Sequence, residues 1–126
     1  MREGIIVLAH GSQGPRAVET LRETASQVRS SLGGAWVILA FLQFNHPSLA
    51  EAIAAAAGEG LDQVIVVPFF LAPGVHVEQD IPRELEEARG RHPGMRILYA
   101  RALGADPRIA EILLDRVAEA RRGQGT

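Results

Sequence analysis

Four short apolar runs punctuate the chain: Ile5 to Ala9, Trp36 to Phe41, Val64 to Phe70 and Arg96 to Ala100. Continuous rather than alternating hydrophobicity, rich in β-branched residues, predicts strands buried on both faces. Between the runs the period changes. Val18, Leu21, Ala25, Val28 and Leu32 recur at three and four residues, which keeps one apolar stripe on a helix that Pro15 opens and Gly33-Gly34 closes. Pro47 is expected to open a second, alanine-rich helix that ends at Gly58 and Gly60. The spacing places the start of a third helix near Asp80-Ile81-Pro82, with Asp80 as its cap, running to the breaker His92-Pro93-Gly94. A fourth begins at Asp106-Pro107, with Ile109, Leu113 and Val117 as its inward stripe.

Strand and helix thus alternate four times. Strands joined by helical crossovers lie parallel with right-handed connections, so the expected fold is α/β: a three-layer sandwich around a four-stranded parallel sheet, of flavodoxin-like type. Pro68 lacks a ladder donor, so the third strand is expected to be interrupted there or to lie at an edge. Residues 1–121 read as one domain, and 122–126 as a frayed tail.

Composition narrows the function classes. The 126 residues carry 13 basic and 15 acidic side chains, a formal charge of −2, so nothing attracts nucleic acid or anionic lipid electrostatically. Without cysteine there is neither a disulfide scaffold nor a thiolate site, and any metal must take nitrogen and oxygen ligands. No apolar run approaches the ~20 residues of a membrane helix, and no signal-peptide pattern opens the chain, so a soluble cytoplasmic protein is expected.

In a parallel sheet every strand-to-helix loop leaves from the same edge, where ligands bind. Three of the four histidines fall there: His10 after the first strand, His46 after the second and His76 after the third. His92 belongs to the opposite edge. HGSQGP, from His10 to Pro15, has neither the spacing of a dinucleotide loop nor a P-loop lysine, and the chain has no lysine at all. A Ser12-His76-Asp80 hydrolase fails because Ser12 stands in no nucleophile elbow and His76 and Asp80 are local neighbours. Imidazoles with nearby carboxylates and no thiols suit a first-row divalent metal, and two or three ligands leave coordination positions open for exchange or catalysis.

VLAHGS (Val7 to Ser12), AFLQFNHPSL (Ala40 to Leu49), VVPFFLAPGVHVEQDIP (Val66 to Pro82) and ALGADPRI (Ala102 to Ile109) together resemble the class II tetrapyrrole chelatases, specifically the short sirohydrochlorin chelatases of the cobalamin and sirohaem branches. The resemblance spans nearly the whole chain. It implies a chelatase-like half-domain that inserts a divalent metal, cobalt first with iron or nickel as alternatives, into sirohydrochlorin without a nucleotide. It assigns His10 and His76 to the metal and to the pyrrole protons. The wider group often carries a glutamate after the second strand, where this chain has Gln43 and His46. His46 is therefore a candidate third ligand, Glu78 a candidate acidic helper, and bulk water a third acceptor for the protons. Arg101, Ser12, Gln43 and the amides of Gly11 and Gly74 are candidates for holding the carboxylate-rich substrate. Long relatives place two such domains around one cleft, so a short chain is expected to form a homodimer. The competing function class is a non-catalytic carrier of divalent metal; a third is a sensor that binds a phosphate compound at Gly11 and Ser12.

Overall fold

A computed structural model describes residues 1–123. The chain runs β1 (Glu3–Ala9), α1 (Pro15–Ser31), β2 (Trp36–Phe41), α2 (Leu49–Gly58), β3 (Gln63–Pro68), α3 (Val75–Arg91), β4 (Arg96–Tyr99) and α4 (Pro107–Arg121). All pairings are parallel, in the order β2-β1-β3-β4. The α/β class, the parallel sheet and the four β-α units read from the sequence are those found.

Strand order fixes where the helices go. From β1 the chain moves outward to β2, crosses back to β3 and continues to β4. With right-handed connections, movement in opposite directions puts α1 on one face and α2 and α3 on the other. The burial pattern agrees. Ile6, Leu8, Val64, Val66 and Ile97 pack with Leu49, Ile53, Ile81 and Leu85 of α2 and α3 in the main core, while Val7 and Val37 meet Ala25 of α1 in a smaller one.

Several boundaries differ from the sequence reading. Pro68 lies in an interior strand and closes it, opposite Leu8 at the last β1–β3 pairing, so β3 stops before Phe69. α2 begins one residue beyond Ser48 rather than at Pro47: Ser48 is the N-cap, its hydroxyl accepting from the Glu51 amide while the Glu51 carboxylate accepts from the Ser48 amide. Leu32 lies beyond the end of α1 and is exposed.

α3 starts five residues earlier than expected, so Asp80 does not cap it but pairs with Arg83 inside the helix. The apolar stripe explains this: Ile81, Leu85 and Ala88 are buried and Val77 packs against the same core, so the pattern extends a turn upstream of Pro82. Packing outweighs the missing hydrogen bond of one internal proline.

The largest difference is α4. Asp106 caps it as expected, accepting from the Arg108 amide. Yet the stripe of Ile109, Leu113 and Val117 does not face the sheet: α4 buries no residue, and Ile112, Leu113, Leu114 and Val117 are all exposed. Correspondingly Ile65, Val67 and Leu98, which point to the α1 side of β3 and β4, remain only half-buried and belong to neither core. α4 ends at Arg121; beyond it Arg122 and Gly123 form a turn whose amides donate to the Ala118 and Ala120 carbonyls, and residues 124–126 of the expected tail lie outside the described residues.

Candidate active site

The connections of β1 and β3 leave in opposite directions, although the two strands are neighbours. The segments that follow the two strands therefore diverge, which makes the β1–β3 boundary the switch point at which open parallel sheets form their ligand-binding crevice. His10 is the first residue after β1, and His76 lies in the first turn of α3, the helix that follows β3. Both are exposed. The earlier start of α3 moves His76 from the expected loop onto a helix end, and leaves Glu78, also exposed, in the same first turn beside the positive end of the helix dipole.

Four loops are stitched into one rim. The Gln43 amide donates to the His10 carbonyl at 2.9 Å, tying the loop after β2 to that after β1. Asn45 Oδ1 accepts from the Ser12 amide at 2.7 Å, and the Phe69 amide donates to the Leu8 carbonyl at 2.7 Å. The amides of Leu103 and Gly104 donate to the carbonyls of Phe70 and Leu71, attaching the loop after β4. The His10 ring lies on Phe70, with centroids 4.8 Å apart and planes 39° from parallel, which restricts the orientation of the imidazole.

Gly11 makes the corner possible. Its φ is +100°, and a side chain there would put Cβ 1.9 Å from the Gln43 carbonyl oxygen. Ser12 is less available than the sequence implied: its amide is taken by Asn45 and its hydroxyl accepts from the Gly14 amide at 3.0 Å. Gly74 is the extended N-cap of α3. Arg101 is exposed and lines a cavity of about 290 Å³ with residues 102–107, between the end of β4 and the start of α4.

His46 has a partner that the sequence reading missed. Its Nδ1 lies 2.8 Å from the Glu51 carboxylate, the same oxygen that accepts from the Ser48 amide. Hydrogen bonds from Ser48 and His46 hold the Glu51 carboxyl down at about 2. The Ser48-x-x-Glu51 spacing of a capping box was the available signal. Among the described residues no three histidine, aspartate or glutamate side chains converge closely enough to hold one metal ion, so the candidate third ligand does not join His10 and His76 at one point within a single chain. At the opposite edge His92 ends α3, as the sequence placed it. Tyr99, at the end of β4, has its hydroxyl pKa pushed up by burial and, secondarily, by the Glu78 charge.

Comparison with known proteins bears on the family and the fold. The profile of the family described as CbiX matches residues 4–120. The chain belongs to the CbiX family. Among relatives, the sirohydrochlorin cobaltochelatase of Sulfurisphaera tokodaii is 37% identical over 121 residues, covering 94% of each chain. That of Methanothermobacter thermautotrophicus is 37% identical over 132 residues, covering 93% of this chain and 92% of its own. Of solved structures, the putative cobalamin biosynthesis CbiX protein of Marinobacter aquaeolei superposes with a TM-score of 0.81 at 34% identity, over 95% of this chain and 98% of that one. The cobalt complex of the sirohydrochlorin chelatase SirB from Bacillus subtilis subspecies spizizenii superposes with a TM-score of 0.87 at 24% identity, over 94% of this chain but only 51% of the longer SirB chain. At that identity the SirB likeness speaks for the fold.

Proposed function

We propose that this CbiX chain is a sirohydrochlorin metal chelatase, a lyase that inserts cobalt, and with suitable supply iron or nickel, into the tetrapyrrole without a nucleotide. The observation that carries the reading is the placement of His10 and His76 on either side of the β1–β3 crevice, both exposed, on elements whose direction the strand order dictates. The relatives named above supply the substrate class.

Insertion exchanges two pyrrole N–H protons for one divalent cation. Neutral imidazoles at residues 10 and 76 bind the incoming metal through ring nitrogens while leaving other coordination positions to water. As pyrrole nitrogens displace water and then imidazole, the freed histidines take up the departing protons. Holding metal and ring at one rim makes the exchange effectively intramolecular. Stacking on Phe70 fixes the ring of His10, and the adjoining Gln43, Gly74 and Arg101 face the substrate's polar periphery. Glu78, one turn along from the start of α3, supplies the acidic function near His76, while His46 is held by Glu51.

The working unit is a homodimer in the cytoplasm, with no part for nucleic acid or membrane. α4 presents Ile112, Leu113, Leu114 and Val117 to solvent, and the sheet leaves Ile65, Val67 and Leu98 without a covering helix. One chain thus holds both a helix without a bed and a bed without a helix, which a second copy of the same chain satisfies symmetrically. Because α4 starts at the rim, pairing also brings a second wall to a macrocycle that one small half-site covers poorly.

The test is spectroscopic. Protein, Co²⁺ and sirohydrochlorin are mixed and the tetrapyrrole absorption is followed against a protein-free control. Catalysis predicts a faster spectral change that His10→Ala and His76→Ala each reduce by at least ~100-fold, the usual scale for a positioned acid–base group. Tight cobalt binding with no acceleration would instead identify a metal carrier.

A further inference from the structure

One face of α1 reaches the rim without a role in the reaction proposed above. Pro15, Val18, Glu19, Arg22, Ala25 and Arg29 recur at three- and four-residue intervals, so they share a side of the helix. Ala25 is buried and Val18 half-buried, which turns that side toward β2 and its following loop. Arg22 stands where two cavities adjoin. One, about 480 Å³, lies between α1 and Ser12, Gln13 and Asn45. The other, about 310 Å³, lies between α1 and Phe41, His46 and Pro47.

The guanidinium of Arg22 is uncommitted. It forms no hydrogen bond or ion pair with any described residue, whereas Arg29 donates to the Val37 carbonyl and Arg83, Arg89, Arg108 and Arg116 each pair with a carboxylate. The one acidic residue along either cavity is Glu19, a turn before Arg22 and not paired with it. Across the same space the loop is held rigid: Asn45 is fixed by the Ser12 amide, and His46 by Glu51. A cation at the junction of two pockets, facing a fixed loop beside the metal-binding rim, is suited to a short carboxylate arm reaching over that rim. Arginine's planar fork takes both carboxylate oxygens.

We infer that Arg22 anchors a peripheral carboxylate of the tetrapyrrole, with the cavities on either side receiving the arm. The inference rests on the chelatase reading, since it takes the substrate from there. The anchor acts on binding and orientation of the macrocycle, remote from the metal. Glu19 opposes it by repulsion and sets how tightly the arm is held.

The experiment measures binding of metal-free sirohydrochlorin by fluorescence, and cobalt insertion against sirohydrochlorin concentration, for the full chain and for Arg22→Gln, Arg22→Lys and Glu19→Gln. Arg22 is exposed, so none of these changes disturbs the core. A charge-assisted hydrogen bond at a partly solvated site predicts a roughly tenfold weaker Kd and higher KM in Arg22→Gln, with kcat and cobalt affinity unchanged. Arg22→Lys recovers part of the loss, and Glu19→Gln binds about two- to threefold more tightly than the parent. A methyl-esterified sirohydrochlorin distinguishes the parent from Arg22→Gln by less than twofold. Parent-like binding in Arg22→Gln, or an equal loss with the ester, overturns the assignment. Should the parent bind sirohydrochlorin but fail to insert metal, the chelatase reading falls while the binding series still decides on Arg22.

Discussion

Replacing Gly11 with alanine tests whether the rim is as tightly determined as its hydrogen bonds suggest. The residue sits at φ +100°, where an L side chain costs about 1–2 kcal/mol on backbone grounds alone. The added Cβ would then lie 1.9 Å from the Gln43 carbonyl oxygen and 3.2 Å from Asn45 Oδ1. The first contact is with backbone and cannot be relieved by a rotamer, so the loop from Gln43 to Asn45 has to withdraw. Withdrawal strains or breaks two bonds, Gln43 amide to His10 carbonyl at 2.9 Å and Ser12 amide to Asn45 at 2.7 Å, each contributing about 1 kcal/mol net. Together the losses come to about 3–4 kcal/mol, a large share of the 5–15 kcal/mol available to a domain of this size. With a slope near 2 kcal/mol per molar urea, the unfolding midpoint followed by far-ultraviolet circular dichroism falls by about 1.5–2 M. Gly90→Ala is the internal control. Gly90 is helical, with nothing within 4 Å of the added methyl, so the same chemical change there raises stability by about 0.5–1 kcal/mol. A Gly11→Ala midpoint within ~0.3 M of the parent would refute the reasoning.

Three further outcomes follow from features described above. Ser48→Ala removes one half of the α2 capping box and lowers stability by about 1 kcal/mol, measured by urea denaturation. In a carboxyl-carbon NMR titration Glu51 titrates at about 2. Because its folded value lies below its unfolded one, its contribution is complete above the ordinary carboxylate range and fades as pH falls toward 2; in Ser48→Ala the midpoint moves back up. Leu113→Asp places a charge in the bare stripe of α4, and light scattering on the variant at ~50 µM returns the mass of one chain where the parent returns that of two.

The parts of the fold legible in the sequence were those set by dense, local patterns. β2 was readable residue for residue, because WVILAF is bounded by Gly-Gly and by a polar loop. α1 was readable from its proline and its stripe. Pro82 misled because a proline after an aspartate looks like a first turn, while the pressure extending α3 upstream came from a core that only the folded chain assembles around Ile81. α4 misled for a different reason: its periodicity correctly identified a helix with an apolar side, but periodicity does not say which chain that side meets. At the site, the positions of His10 and His76 were accessible because topology alone assigns loops to edges. The contacts of Asn45 with Ser12, Phe70 with His10 and Glu51 with His46 join segments 33, 60 and 5 residues apart and depend on strand register, and of these only the local pair left a trace in the spacing of residues.

If a second copy covers the bare stripe of α4, as proposed above, the stability of this protein depends on how much of it is present. A helix whose apolar side is sheltered by another molecule loses that shelter on dilution, so the melting temperature should rise with protein concentration as mass action requires. Joining two copies in tandem by a short linker would substitute an internal encounter, at an effective concentration near millimolar, for one between separate molecules. Such a fusion would also release the two halves from having to stay identical.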